Sequence, residues 1–150
     1  MSGSDTLKAR AQHLFEQGDY PSCLELIRAV PRHRLEIPLR IIEAVCLFCT
    51  GSLDEAELSL RDLKGRVPDS AEVCLYLGRI LEQKGDEGAR AEYAAAVMLD
   101  PSQPEALRRY AQYLTSASDH PAALGLLYRL HAMTGQCMDL STLMNCLIAL

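Results

Sequence analysis

The sharpest chemical motif in the sequence is the pair Cys46 and Cys49, which has the CxxC spacing found in redox and metal sites. A redox pair of this kind needs the N-terminus of a helix to stabilise its thiolate. This pair falls late in an apolar run that reads as a helix, so the helix dipole acts in the wrong direction. A zinc site needs four ligands, and the remaining cysteines are single and scattered: Cys23, Cys74, Cys137 and Cys146. We therefore predict unliganded, mostly buried packing residues at Cys46 and Cys49, with a metal or redox role as the alternative.

The histidines, which often serve as acid–base groups or metal ligands, are spread along the chain at His13, His33, His120 and His131. His13 and His33 each precede a glutamate by three residues, and such a pair supplies too few ligands for a metal ion. The sequence Gly85-Asp-Glu-Gly88 reads as a turn rather than as a phosphate-binding loop. The sequence thus predicts no catalytic residue, no metal and no cofactor, and we expect that the protein is not an enzyme.

Composition narrows the class of partner. The chain has 150 residues, of which 49% are hydrophobic and 23% charged, so it is globular rather than disordered. Its formal net charge of −5 argues against nucleic acid, because phosphate binding needs a basic face. No apolar run approaches the roughly 20 residues of a membrane span, and the amino end lacks a signal-peptide core. We expect a cytoplasmic protein whose partners are neither nucleic acid nor membrane.

One short basic cluster, Arg32-His33-Arg34, lies in an expected loop. A solvated loop is the simpler interpretation of these residues. Contact with an acidic partner is the alternative.

Turn-forming residues recur at regular intervals, and this punctuation predicts the helices that position these residues. Gly18, Gly51, Gly85 and Ser118 recur at a nearly constant interval, and prolines or glycine mark further breaks between them. The segments between the breaks are about 14 residues long and carry apolar residues near the 3.6-residue period of a helix. Alternation typical of a strand is absent. The sequence therefore predicts helical hairpins that repeat with a period of roughly 34 residues.

This period and punctuation resemble the tetratricopeptide repeat, most clearly between residues 71 and 133. Leu77-Gly78 resembles the leucine–glycine pair of the family's first helix, and Ala89, Tyr93 and Ala96 resemble the small–aromatic–small signature of its second helix. The resemblance implies an all-α, right-handed αα-superhelix of about four hairpins plus a C-terminal capping helix. One domain, 1–150, would contain repeat units near 4–36, 37–70, 71–103 and 104–137, with a lone helix at 138–150.

The chain also departs from the family's pattern. Arg40 stands where the family has a bulky aromatic residue, and Glu43 stands where it prefers leucine. These departures predict irregular or kinked units in the first two repeats, with a generic αα-solenoid as the alternative.

The resemblance implies a non-catalytic scaffold or adaptor whose first helices line a concave groove for a protein or peptide partner. A regulatory or oligomerisation module of a longer protein is an alternative. The expected groove residues are Lys8, Gln12, Phe15, Ile41, Val45, Phe48, Leu75, Arg79, Arg108 and Gln112.

The sequence makes two further predictions about this groove. A solvent-facing apolar stripe on this surface would consist of Ile41, Val45 and Phe48. The alternative is that the helix is rotated and these residues enter the core. Glu43, which stands at an expected core position, favours this alternative. Lys8 matches one place of the carboxylate clamp of chaperone adaptors, but the acidic Glu72 has the wrong charge for another. We therefore expect no carboxylate clamp.

The carboxyl end carries an apolar stripe that we expect to cap the last hairpin. The other face of that predicted helix is small and uncharged, and it consists of Ser141, Thr142, Asn145, Cys146 and Ala149. Such a face is poorly suited to water, because terminal caps of repeat proteins normally show a polar outer face. We expect a homodimer through this face, with a longer natural chain that covers it as the alternative.

Overall fold

The computed structural model describes residues 3–135, 144, 145 and 147–149. Residues 3–135 contain eight α-helices, one 3₁₀ turn and no strand, and residues 144, 145, 147 and 148 are also helical. The helices are α1 (Gly3–Glu16), α2 (Tyr20–Arg28), α3 (Ile37–Cys49), α4 (Leu53–Arg66), α5 (Ala71–Gln83), α6 (Ala89–Leu99), α7 (Pro104–Ser116) and α8 (His120–Thr134). The 3₁₀ turn, Arg32–Arg34, lies between α2 and α3. None of the described helices is both long and apolar enough to cross a membrane.

The turn inside each hairpin falls where the punctuation predicts it. Gly18, Gly51 and Gly85 have φ of 77°, 85° and 71°, and each lies between the first and second helix of a pair. Ser118 adopts the same left-handed conformation, with φ of 62°, between α7 and α8. Glycine adopts this conformation at little cost, so the periodic residues mark the helix ends. The prediction that all four positions lie in hairpin turns is confirmed.

Side-chain oxygens cap the N-termini of several helices. The Asp19 carboxylate accepts a hydrogen bond from the Ser22 amide at the start of α2, and Asp119 accepts one from the Ala122 amide at the start of α8. Ser70 caps α5 in the same way, through the Val73 amide. In the third hairpin the Asp86 carboxylate instead binds the Gly88 amide within the turn, and α6 begins only at Ala89.

The described helices belong to two compact units, unit 1 (Met1–Pro68) and unit 2 (Asp69–Leu150). The boundary lies two residues before residue 70, the predicted end of the second repeat. In unit 1, α3 contacts α1, α2 and α4. Its buried residues include Leu39, Ala44 and Leu47, and the charged residues Arg40 and Glu43 are only 8% and 5% exposed.

In unit 2 the core is apolar and closely fitted around Tyr93. This side chain is fully buried, and its ring lies against Gly78 and beside Tyr110 and Tyr113. A Cβ atom on Gly78 would come within 2.9 Å of the Tyr93 ring, so only glycine leaves room for this aromatic residue. Tyr93, the aromatic residue of the small–aromatic–small signature, therefore joins α5, α6 and α7.

Candidate partner-binding surfaces

In unit 1 the first helices of the two hairpins, α1 and α3, contact each other. On α1, Gln12 is exposed, whereas Lys8 and Phe15 are half-buried. The Phe15 ring packs edge-on against Tyr20, with 5.7 Å between the ring centroids. The α1 surface therefore offers one cation, one amide and part of one aromatic ring.

The expected solvent-facing apolar stripe on α3 is wrong for two of its three residues. Val45 and Phe48 are only 2% and 8% exposed, and Ile41 is half-buried. The physical reason is that α3 is apolar around most of its circumference, which is typical of a helix that is buried on several sides. The alternative, in which the helix is rotated, explains why Val45 and Phe48 are buried. Glu43 is buried as well.

In unit 2 the first helices α5 and α7 also contact each other. Leu75 is only 2% exposed and belongs to the core, so its expected place in the groove is wrong. Arg79 is half-buried, and its guanidinium lies 5.3 Å from the centroid of the Tyr76 ring, in a cation–π arrangement. This stacking holds a cation at the surface of α5.

The neighbouring helix α7 carries a row of polar side chains. Arg108 and Arg109 both bind Glu105, with N–O distances of 3.1 and 2.8 Å, and Gln112 is exposed one turn further along. Burial alone would raise the pKa of Glu105, but the hydrogen bonds from Arg109 and Arg108 outweigh it and hold the pKa below its usual value. The α5–α7 surface therefore combines fixed cations with the exposed Gln112 amide and the half-buried Glu105 carboxylate.

The CxxC pair is split between the interior and the surface. Cys46 is fully buried, which raises the pKa of its thiol, and it lies in the last turns of α3 as predicted. Cys49 is exposed, so the prediction that both thiols are mostly buried is wrong for Cys49, which ends the helix next to the turn at Gly51. Interaction with Cys49 raises the pKa of Tyr20, the first residue of α2. Burial also raises the pKa of the Cys23 thiol, which interacts with Cys46.

The structure adds a group of polar residues that sequence reasoning did not bring together. Arg40 of α3 forms an ion pair with Asp62 of α4, and Arg66 binds the same carboxylate oxygen at 3.2 Å. The hydrogen bond from Arg40 is the main reason that the pKa of Asp62 is lowered. The one signal of this polar group in the sequence was Arg40, a charged residue at a predicted core position. Its partner could not be found, because Asp62 carries no repeat signature.

The predicted carboxyl-terminal face lies mostly outside the described residues. Ser141, Thr142 and Cys146 are not described, whereas Asn145 and Ala149 are exposed. The homodimer and the longer chain therefore stay predictions. Among the residues that the structure does describe, no three histidine, cysteine or acidic side chains are grouped so that they could hold a metal ion.

Paired helices of similar length, joined by left-handed turns at a nearly constant spacing, define an all-α repeat protein with the tetratricopeptide-type solenoid fold. Comparison with solved structures supports this class. The crystal structure of MamA superposes with a TM-score of 0.80 and 13% identity, over 97% of this chain and 81% of that one. A thermophilic TPR protein of Thermus thermophilus superposes with a TM-score of 0.78 and 14% identity, over 98% of this chain and 82% of that one.

Sequence comparison adds no closer relative. No known family's sequence profile matches the chain, and no curated protein matches it. At these identities, the likeness to the solved structures defines the fold alone.

Proposed function

We propose that this protein is a non-catalytic scaffold or adaptor, which holds a partner peptide or helix against the first helices of its hairpins. One observation carries the proposal. In unit 2, the adjacent helices α5 and α7 present Arg79, Arg108 and Gln112 at the surface, while the same helices supply core residues such as Leu77 and Leu107. A rigid helical pair with partly immobilised polar groups binds at a low entropic cost.

The two units would contribute different chemistry to this function. On unit 2 the groups are charged and held in place by neighbours, as Arg79 is by Tyr76 and Arg108 by Glu105. They suit a partner segment with carboxylates and exposed backbone carbonyls. On unit 1, the exposed amide of Gln12 and the partly buried Phe15 suit a less charged segment. Val45, Phe48 and Leu75 are excluded from this proposal, because they are buried.

The experiment compares two pairs of arginines in the same unit. The first variant is Arg79→Ala with Arg108→Ala, on the first helices α5 and α7. The matched control is Arg90→Ala with Arg129→Ala, on the second helices α6 and α8. Both variants remove two positive charges, so a nonspecific effect of net charge would appear in both.

Each tagged protein captures partners from native lysate, and quantitative mass spectrometry compares the bound proteins with those of the unaltered chain. We expect one or more proteins to be lost by the first variant and retained by the control. Equal capture by both variants, or equal loss from both, would contradict binding at the first helices. Circular dichroism melts check that both variants are folded.

A further inference from the structure

Unit 1 contains a pocket outside the surface proposed above, between the 3₁₀ turn, α3 and α4. Its volume is about 560 Å³, and three guanidinium groups, one imidazole and one carboxylate line it. Its lining residues are Arg32, His33, Leu35, Arg40, Asp62 and Arg66. We call it the basic pocket.

Positive charge exceeds negative charge in the basic pocket. Arg40 and Arg66 share the single carboxylate oxygen Oδ2 of Asp62, so one negative charge serves two cations. Arg32 adds a third cation, which is exposed and has no ion-pair partner among the described residues. This excess stands out in a chain whose net charge is −5. An anion entering the pocket would find guanidinium groups from three elements at once.

Arg40 makes this arrangement more than a surface cluster. Its side chain is only 10% exposed, and it is anchored by Asp62. The burial of an arginine is costly unless its donors are satisfied, and an apolar residue at this position would avoid that cost. The position is the one at which the repeat pattern leads us to expect an aromatic side chain. A function in the pocket would explain why a cation stands there.

A second pocket of about 240 Å³ continues from the first and shares Arg32, Arg40 and Asp62 with it. Leu58, which is 71% exposed, gives this pocket an apolar rim. Ser59 also lines it, and its buried hydroxyl has no hydrogen-bond partner among the described residues. A buried hydroxyl without a partner is uncommon, because it costs free energy unless a ligand or water completes it. Besides Asp62, this pocket has one further acidic residue, Glu55, which forms an ion pair with Arg28 at 3.2 Å.

We propose that the two pockets together bind an extended acidic segment of a partner protein. An anionic side chain, carboxylate or phosphate, lies against Arg32, Arg40 and Arg66, and a neighbouring apolar side chain lies against Leu58. Arginine suits this role, because its planar fork donates paired hydrogen bonds to carboxylate and phosphate oxygens. Ser59 donates to the ligand's backbone. The proposal uses other residues than those of the first-helix surface and stands independently of it.

The test uses the full chain and three short fluorescent peptides with the same layout, in which leucine alternates with glutamate, glutamine or phosphoserine. Binding is measured by fluorescence anisotropy for the unaltered chain and for Arg32→Gln and Arg66→Gln. The matched control is Arg61→Gln, which removes the same charge from α4 at a residue paired with Glu57 and absent from both pockets. Circular dichroism confirms that each variant is folded.

We expect the glutamate or the phosphoserine peptide to bind, and the tighter of the two identifies the anion. The glutamine peptide should bind at least about tenfold more weakly, and Arg32→Gln and Arg66→Gln should each weaken the anionic peptide by about tenfold. Arg61→Gln should leave the affinity unchanged. The proposal is overturned if no peptide binds, if the glutamine peptide binds as well as the others, or if Arg61→Gln weakens binding as much as Arg32→Gln does.

Discussion

The two units place different side chains at corresponding positions of their first helices. On α3, Arg40 and Glu43 are buried, and one repeat later on α5 the buried residues are Cys74 and Leu77. Both helices keep the same hairpin turn. The repeat geometry therefore tolerates a buried charge, and unit 1 carries charges where unit 2 carries an apolar core. These positions belong to the apolar core in unit 2, whereas in unit 1 Arg40 lines the basic pocket for which we propose a binding role.

A second difference concerns volume. Unit 2 pairs Gly78 with the large Tyr93, whereas the corresponding positions of unit 1 hold Ala44 and Leu60, which are also fully buried. A larger residue on one helix accompanies a smaller one on the other. Because protein interiors are close-packed, such exchanges conserve the fold only when they occur together.

The largest effect that we expect is in the core of unit 2. Tyr93→Ala removes a fully buried aromatic side chain, and such a change costs ~3–5 kcal/mol of unfolding free energy. Urea unfolding of the full chain measures it. Tyr128→Ala is the control, because Tyr128 is 55% exposed on α8, and it should change stability by less than about 0.5 kcal/mol. If the Tyr93 and Tyr128 variants unfold alike, Tyr93 does not hold unit 2 together.

The next effect tests whether the pairing of volumes is real. Gly78→Ala places a Cβ atom against the Tyr93 ring and should cost about 1–3 kcal/mol. Adding Tyr93→Leu recreates the alanine and leucine combination of unit 1. The double variant should then be more stable than the sum of the two single changes predicts, by about 0.5 kcal/mol or more. Strict additivity in a double-mutant cycle would show that these two positions do not compensate each other.

A smaller effect distinguishes the two thiols of unit 1. Cys49 is exposed, whereas burial raises the pKa of Cys46 and suppresses its reactive thiolate. Under native conditions, iodoacetamide should therefore label Cys49 at least about tenfold faster than Cys46. Mass spectrometry of the digested protein follows each cysteine separately. Equal rates would remove the distinction, and stoichiometric zinc in the purified protein would revive the metal alternative.

The smallest effect concerns the buried cation. Arg40→Met keeps the apolar stem and removes the charge, and Asp62, which is half-exposed, retains Arg66 as a partner. We therefore expect a change in unfolding free energy within about 1 kcal/mol, since buried ion pairs contribute little net stability. Chemical denaturation measures it. A loss above about 3 kcal/mol would make Arg40 a structural residue and break the contrast between the units.

The turns could be predicted from the sequence because each one depends on a local requirement. Gly18, Gly51 and Gly85 mark left-handed positions, and a left-handed residue ends a helix whatever surrounds it. Tyr93 was also predictable, since the small residues near it repeat at helical spacing. The exposure of individual side chains was not. Val45 and Leu75 lie at expected groove positions but are buried, because several neighbouring elements together decide which side of an apolar helix remains open.

The basic pocket could not be predicted from the sequence either. Its cations come from the loop after α2, from α3 and from the end of α4, and no local pattern joins Arg32 to Arg66. Only the fold brings them together. The unusual charge at Arg40 indicates the region of the pocket, but it does not identify the other residues of the site.

Photo-crosslinking from single positions determines whether the first helices bind the partner. The exposed Gln112 on α7 is changed to p-benzoylphenylalanine in one protein, and the exposed Tyr128 on α8 is changed in the control. Both proteins are irradiated in native lysate and analysed by mass spectrometry. Binding at the first helices predicts a defined covalent adduct from position 112 that position 128 does not give. Adducts of the same protein from position 128 alone would contradict it.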